Sequence, residues 1–494
     1  MKEWELSVSR MFLKSAYTEQ SLGLEDEAVL EWLGAINRSA DVSVKRTSFS
    51  DLKSWSYSKE SGSLAHESGR FFSIDGIRVR TNWGLKAEWE QPIINQPEIG
   101  YLGFLAKEFN GVLHLLMQAK IEPGNINKAQ LSPTLQATKS NFSQVHEGRA
   151  PKFLSVFRDA KSQQVLLDQL QSEQGARFLR KRNRNIVVKI DDDIELPPNF
   201  IWLTVGQIKS LLKRDNLVNM DSRTVLAGLP FGTTDPDTCS LFSYLKGPDK
   251  NNLASDFARS ALSHHGALHT TAEIISKITS LKSKYDLTVE KVDLGDVDEW
   301  IFGDQEIVRN DRKFFRVIPV DVEIGGREVN RWSQPMIQPA QEGLCAFVFR
   351  RINGVLHVAM QLKLECGNHD VLELAPTVQT LTGNYQEVGA GKIPFLDYVL
   401  NAPKRHVILD TRQSEEGGRF FQEQNRYVVV VLDEGHGNEP AAALGSAPAF
   451  PVPDPDNLPE NFIWMTLHQL AVFMKFNNFI NIQSRSLIAS IPFT

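Results

Sequence analysis

The chain has 494 residues, 41% hydrophobic and 23% charged, an ordinary globular composition with room for two or more domains. That composition excludes collagen-like, disulfide-scaffold and disordered classes. A formal charge of -6, from 54 Lys and Arg against 60 Asp and Glu, gives no global attraction to nucleic acid or to an acidic membrane surface.

Residues 24–37, LEDEAVLEWLGAIN, carry apolar side chains at helical spacing and open the chain's first regular segment. The hairpin signal Asn110-Gly111 then precedes an apolar strand, GVLHLLMQAKI. Polar, glycine-bearing segments follow: PTLQ at 133–136 and QSEQGARF at 171–178. RNIVVKI, a continuous apolar run bounded by charge, reads as a strand buried on both faces. Thr204 is an N-cap before the helical run QIKSLL. Turn-rich sequence, GTTDPDT and GPDKNN, comes next.

After it the order repeats. Residues 272–285 match the first helix, Asn353-Gly354 the hairpin turn, RYVVVVL the buried strand and Thr466 the N-cap. His114–Phe142 aligns without a gap on His357–Tyr385 with 12 of 29 positions identical. QSEEGGRF at 413–420 matches QSEQGARF, and NFIWMT from Asn461 matches NFIWLT from Asn199. The chain therefore reads as two tandem copies of one α/β domain, 1–235 and 263–494, with a linker at 236–262 and a Pro-, Gly- and Ala-rich insertion at 433–457.

Polar identity between copies points to chemistry more directly than apolar identity does. Gln118, Lys120 and Glu122 alternate along one strand and share a face, as do Gln361, Lys363 and Glu365. A solvent-facing strand with an ion pair accounts for the same pattern. Thr134, Gln136, Asn141, Ser172 and Arg177 recur as Thr377, Gln379, Asn384, Ser414 and Arg419, groups able to hold a sugar or a phosphate; capping and turn roles explain them equally well. His114 and His357 lie in apolar strands and read as buried core. Cys239, Cys345 and Cys366 form no CxxC pair, and there is no GxGxxG or GxSxG motif. No metal and no cofactor are expected. With no apolar run of signal-peptide or membrane-spanning length, a cytoplasmic location is expected.

Tandem copies carrying E(P/C)GN, PT(L/V)Q, SNF or GNY, QSE(Q/E)G(A/G)RF and NFIW(L/M)T resemble the NDP-hexose 2,3-dehydratase family over nearly the whole chain. The resemblance implies a mixed-sheet α/β fold of two Nudix-hydrolase-like domains from an internal duplication, usually in a homodimer. It also implies a dTDP-4-keto-6-deoxyglucose type of substrate and a separate 3-ketoreductase to trap a labile diketo product. The Nudix metal-binding box is absent from both copies, so the fold is implied without its hydrolase chemistry.

The family reaction needs a base, an acid, an enolate donor and a clamp on the diphosphate. The second copy has Tyr385 and Glu416 where the first has Phe142 and Gln174. On that difference chemistry is expected in the second copy, with Glu415 or Glu416 as base, Tyr385 as acid or enolate donor and Lys363 as electrophile. Thr377, Gln379, Asn384, Gln413, Ser414 and Arg419 would bind substrate there, and Trp55 or Trp300 would stack on the base. Lys120, Thr134, Gln136, Asn141, Ser172 and Arg177 would form a site that has lost activity. The rivals are a nucleotide-sugar binder that does no chemistry and a divergent Nudix-type diphosphate hydrolase.

Overall fold

A computed structural model describes residues 2–84, 86–138, 151–231, 253–262, 266–325, 330–382, 393–432 and 457–491. It is a mixed α/β structure of two seven-stranded and two five-stranded sheets, with helices packed over them.

The expected hairpin forms because Asn110 and Gly111 take φ of 51° and 72°, the left-handed pair that matches strand twist. It joins Gly100–Phe109 to Val112–Ile121. Arg182–Lys189 lies parallel to Gly100–Phe109, and its Ile186, Val187 and Val188 are fully buried. Val165–Ser172 and Phe200–Thr204 complete the edges, while Ala129–Pro133 and Leu135–Ala137 pair with the hairpin. The other seven-stranded sheet repeats this order strand for strand, from Gly343–Ile352 and Val355–Lys363 to Gln424–Leu432, Val407–Ser414 and Phe462–Met465. Both caps form: Thr204 and Thr466 accept from the backbone of Gln207 and Gln469, whose side chains return the bond. His114 and His357 are fully buried, as read, with Nδ1 against the carbonyls of Val112 and Val355.

The smaller sheets exchange strands. Val42–Arg46 pairs antiparallel with Phe315–Ile324, some 270 residues later in the chain, and Leu287–Val292 pairs with Ser73–Thr81. Neither half completes its small sheet alone. One apolar core also runs through both halves, holding Phe12, Phe104 and Leu203 with Phe347, Leu356 and Met465.

Part of the segment read as linker is a buried helix, Leu253–Leu262. Its Ser260 donates to Leu356 O at 2.6 Å and accepts from Leu467 N at 3.0 Å, as Ser15 of the first helix, Lys2–Ala16, does with Leu113 O and Val205 N. The turn-rich residues 232–252 and the insertion residues 433–456 lie outside the described residues. No helix among the described residues is long and apolar enough to cross a membrane.

Two buried arginines tie the halves together. Arg223, on helix Met220–Ala227, donates to Gln413 Oε1, Ser414 O and Val218 O. Arg485, on helix Ile482–Ser490, donates to Ser172 O, Ile480 O and Thr224 Oγ1. A guanidinium at 1% exposure or less is tolerable only with its donors occupied, and here acceptors from both halves occupy them, among them one backbone carbonyl of the opposite half for each arginine. The ends of both QSE strands are thereby held.

Candidate active site

The site begins at a backbone crossing. The turn Glu122-Pro123-Gly124-Asn125 meets the tip of the opposite half's QSEEG segment, where Gly124 N donates to Gly417 O at 2.7 Å and Gln422 N to Gly124 O at 2.8 Å. A Cβ on Gly124 would lie 1.7 Å from Phe420 O, so only glycine permits the approach. The same crossing recurs between Gly367 and Gly175 at 2.6 Å, where a Cβ on Gly367 would lie 1.8 Å from Phe178 O. Each half therefore lends the tip of its QSE loop to the other half's pocket.

The first pocket is built on the strand Val112–Ile121. Lys120 Nζ lies 3.4 Å from Glu122 Oε1, which also accepts from Gln136 Nε2 at 3.0 Å. Gln136 is in turn held by Ser132 and Asn219. Glu122 and Asp221, exposed by only 6% and 2%, each leave one carboxylate oxygen, Oε2 and Oδ1, without a partner. Glu416 enters from the other half. Burial first, then the charge of Glu122, pushes its pKa up to about 7, with Glu173 adding to the rise and Arg419 and Lys120 opposing it. Asp221 is raised well above the carboxylate range by burial, then by Glu173, Glu416 and Glu122. Glu173 is also raised by burial, against the charges of Arg485 and Lys181. The pocket thus gathers four acids around Lys120, with Lys181 close to Glu173, in a largely desolvated setting where an acid and a base can coexist near neutral pH.

The second pocket repeats the scaffold with other groups. Lys363 donates to Gln379 O at 3.0 Å, Gln379 Nε2 to Glu365 Oε1 at 2.9 Å, and Asn481 to Gln379 Oε1 at 2.8 Å. Glu415 accepts from Asn425, Tyr427 and, across the halves, Gln174. Gln483 stands where the first pocket has Asp221, and Glu423 where it has Lys181.

The family model described as NDP-hexose 2,3-dehydratase matches residues 26–229, 271–443 and 450–491. The chain belongs to the NDP-hexose 2,3-dehydratase family. A dTDP-4-dehydro-6-deoxy-alpha-D-glucopyranose 2,3-dehydratase from Saccharopolyspora spinosa is 42% identical over 449 residues, 90% of this chain and 87% of that one. Proteins of the same name from Amycolatopsis orientalis and Streptomyces violaceoruber are 38% and 41% identical. They share 97% and 91% of this chain, and 92% and 93% of their own.

In this dehydratase-family chain the expected grouping of Glu415, Glu416 and Lys363 needs correction. The two neighbouring glutamates part company: Glu415 stays with the Lys363 and Glu365 pocket, while Glu416 faces Lys120 and Glu122. The loop crossing is the cause. Thr134 and Thr377 do not face a ligand; each bridges strands, accepting from Leu105 N or Val348 N and donating to Leu116 O or Ala359 O. Ser172 and Ser414 are spent across the halves on Glu373 and Gln130, and Gln413 on Arg223, Leu212 and Arg214. Arg177 and Arg419 lie 4.2 and 4.1 Å over the rings of Phe315 and Phe72 and donate to neighbouring carbonyls. Trp55 is core, packed on Phe72 and His66, and Trp300 donates to Glu90 O against Phe315. Trp55 is thus buried and Trp300 partly buried. Asn141, Asn384 and Tyr385 lie outside the described residues.

Two acids, Glu173 and Asp221, were not among the sequence candidates, and Glu122, read as sharing a face with Gln118 and Lys120, was given no role. The signal for Asp221 is of the same kind as that for Glu416, since NMDSR at 219–223 aligns with NIQSR at 481–485 and trades Asp221 for Gln483. No cluster of three or more His, Cys, Asp or Glu suited to a metal ion occurs among the described residues.

Proposed function

We propose that the protein removes water across carbons 2 and 3 of a dTDP-4-keto-6-deoxyglucose type of nucleotide sugar, and that the chemistry lies in the first pocket, completed by Glu416. The carbon-4 ketone acidifies the carbon-3 proton. Glu416 takes that proton, and the bond's electrons form an enolate whose oxygen Lys120 stabilises. The enolate expels the carbon-2 hydroxyl as Asp221, kept neutral by burial, gives it a proton, and water leaves. Tautomerisation of the resulting enol yields a 3,4-diketo-2,6-dideoxy sugar. Electrons and protons balance within substrate and side chains.

The observation that carries this reading is the placement of Glu416 opposite Lys120 and Glu122, beside a buried carboxyl oxygen of Asp221 that nothing in the protein occupies. The matching sheets support a duplicated Nudix-like unit as the scaffold, with the small-sheet strands traded between copies. A homodimer and a 3-ketoreductase downstream rest on the family resemblance.

The test is to incubate the protein with dTDP-4-keto-6-deoxyglucose in deuterated water and follow exchange at carbon 3 and release of dTDP. Glu416→Gln should cut turnover by about 10²–10⁴-fold with nucleotide affinity nearly intact. Wild-type turnover in that variant moves the base elsewhere.

A further inference from the structure

In the second pocket Gln174 donates its amide hydrogen to Glu415, a residue exposed by only 2%. Gln174 corresponds in the repeat to Glu416, and Glu415 to Glu173. The backbones that carry the two pairs match bond for bond. Glu173 N reaches Lys181 O and Glu415 N reaches Glu423 O, both at 2.9 Å, and Phe178 N and Phe420 N close the same turn onto Gln174 O and Glu416 O. Where one pocket sets an amide against a carboxylate, the other has carboxyls, Glu416 and Glu173, at both corresponding positions. An amide brings its own proton to the bond. A second carboxylate does not, and two carboxylates brought face to face hold together only if one of them is protonated.

We infer that Glu173 and Glu416 form a dyad carrying one shared proton, and that Glu173 is a positioning residue that sets the proton affinity of Glu416. This rests on Glu416 being the base. The charged groups facing the pair are Lys120 and Glu122 from the hairpin strand and its turn, Asp221 from helix Met220–Ala227, Lys181 and Arg419 from the QSE loops, and Arg485 from helix Ile482–Ser490. Oε2 of Glu122 and Oδ1 of Asp221, in the same cluster, accept no hydrogen bond from the protein. Glu173 also raises the pKa of Glu416, as the dyad requires.

The step balances. The singly protonated pair accepts the carbon-3 proton and becomes doubly protonated. Passing one proton on to the Asp221 carboxylate, left after that residue has protonated the departing hydroxyl, restores the starting state.

The decisive measurement is the pH profile of carbon-3 exchange in Glu173→Gln. Its amide should serve Glu416 as Gln174 serves Glu415, freeing Glu416 of the shared proton, so the acidic limb should move down by about one pH unit or more. A limb that stays in place, in a variant set in which Glu416→Gln is inactive, overturns the dyad and leaves the base assignment standing. An active Glu416→Gln overturns the base assignment instead. If Glu173→Gln does not fold, infrared spectra of wild type and Glu416→Gln decide. The wild type should show a protonated-carboxyl band titrating near neutral pH that Glu416→Gln lacks, and identical bands in the two sink the proposal.

Discussion

Around Glu416 the first pocket gathers Lys120, Glu122, Glu173 and Asp221; around Gln174 the second gathers Lys363, Glu365, Glu415 and Gln483. The backbones agree down to the glycine crossings at Gly124 and Gly367. What differs is which ionisable groups lack a proton-bearing neighbour: Glu122 and Asp221 in the first, Glu373 and Glu423 in the second. In the second pocket the Gln174 and Asn425 amides and the Tyr427 hydroxyl saturate Glu415, whereas in the first Glu122 and Asp221 keep open oxygens. Unsatisfied buried carboxyls cost stability. Fold alone does not separate the pockets; the amide-for-acid exchanges at 174/416 and 221/483 do.

The largest expected contrast is between neighbours in one loop. Glu416→Gln should lose about 10²–10⁴-fold in turnover, while Glu415→Gln should keep turnover within about tenfold and show its effect in the melting temperature. Equal kinetic losses would mean that the two pockets act as one. The glycine pair comes next. Gly124→Ala and Gly367→Ala each drive a methyl into a backbone oxygen, at 1.7 and 1.8 Å, and each should cost about 3 kcal/mol or more of stability. At a temperature where both remain folded, only Gly124→Ala should also depress carbon-3 exchange strongly, because it displaces the loop that carries Glu416. Matching kinetic losses would remove the functional distinction between the crossings.

How much of this was legible beforehand divides by range. The helix at 26–39, the Asn-Gly hairpins, the buried strand at 182–189 and the caps at Thr204 and Thr466 depend on residues close in sequence, and their patterns are visible in the chain. The strand exchange of Val42–Arg46 with Leu287–Val292 and the loop crossing were not. In a duplicated chain the two candidate partners of a strand or loop carry the same kind of pattern, so local pattern cannot choose between pairing within a copy and pairing across copies. That degeneracy placed Glu416 beside Lys363 instead of Lys120. The difference between Gln174 and Glu416 was informative because it breaks the repeat, and Asp221 against Gln483 breaks it in the same way.

The smallest contrast concerns stability and the residues behind each pocket, Lys181 in one and Glu423 in the other. Burial pushes Glu423 up to about 8, with the charge of Arg177 opposing, while burial lowers the pKa of Lys181. The two shifts have opposite consequences for pH. Folded Glu423 keeps its proton to about pH 8, whereas in the unfolded chain it is lost near the ordinary glutamate value of 4.5, so this residue erodes stability as pH climbs through that window. Glu423→Gln should therefore melt progressively higher than the wild type from pH 5 to pH 8, by an amount reaching roughly 1–3 kcal/mol. Folded Lys181 releases its proton below the unfolded value of 10.5, so its cost is present in full at low pH and fades as pH rises towards 10.5. Lys181→Met should stabilise most at the acidic end. Thermal melts of both variants across pH 5–9 compare the slopes directly. A gain for Glu423→Gln that does not change with pH would show that Glu423 is ionised in the folded protein and that Arg177 neutralises it.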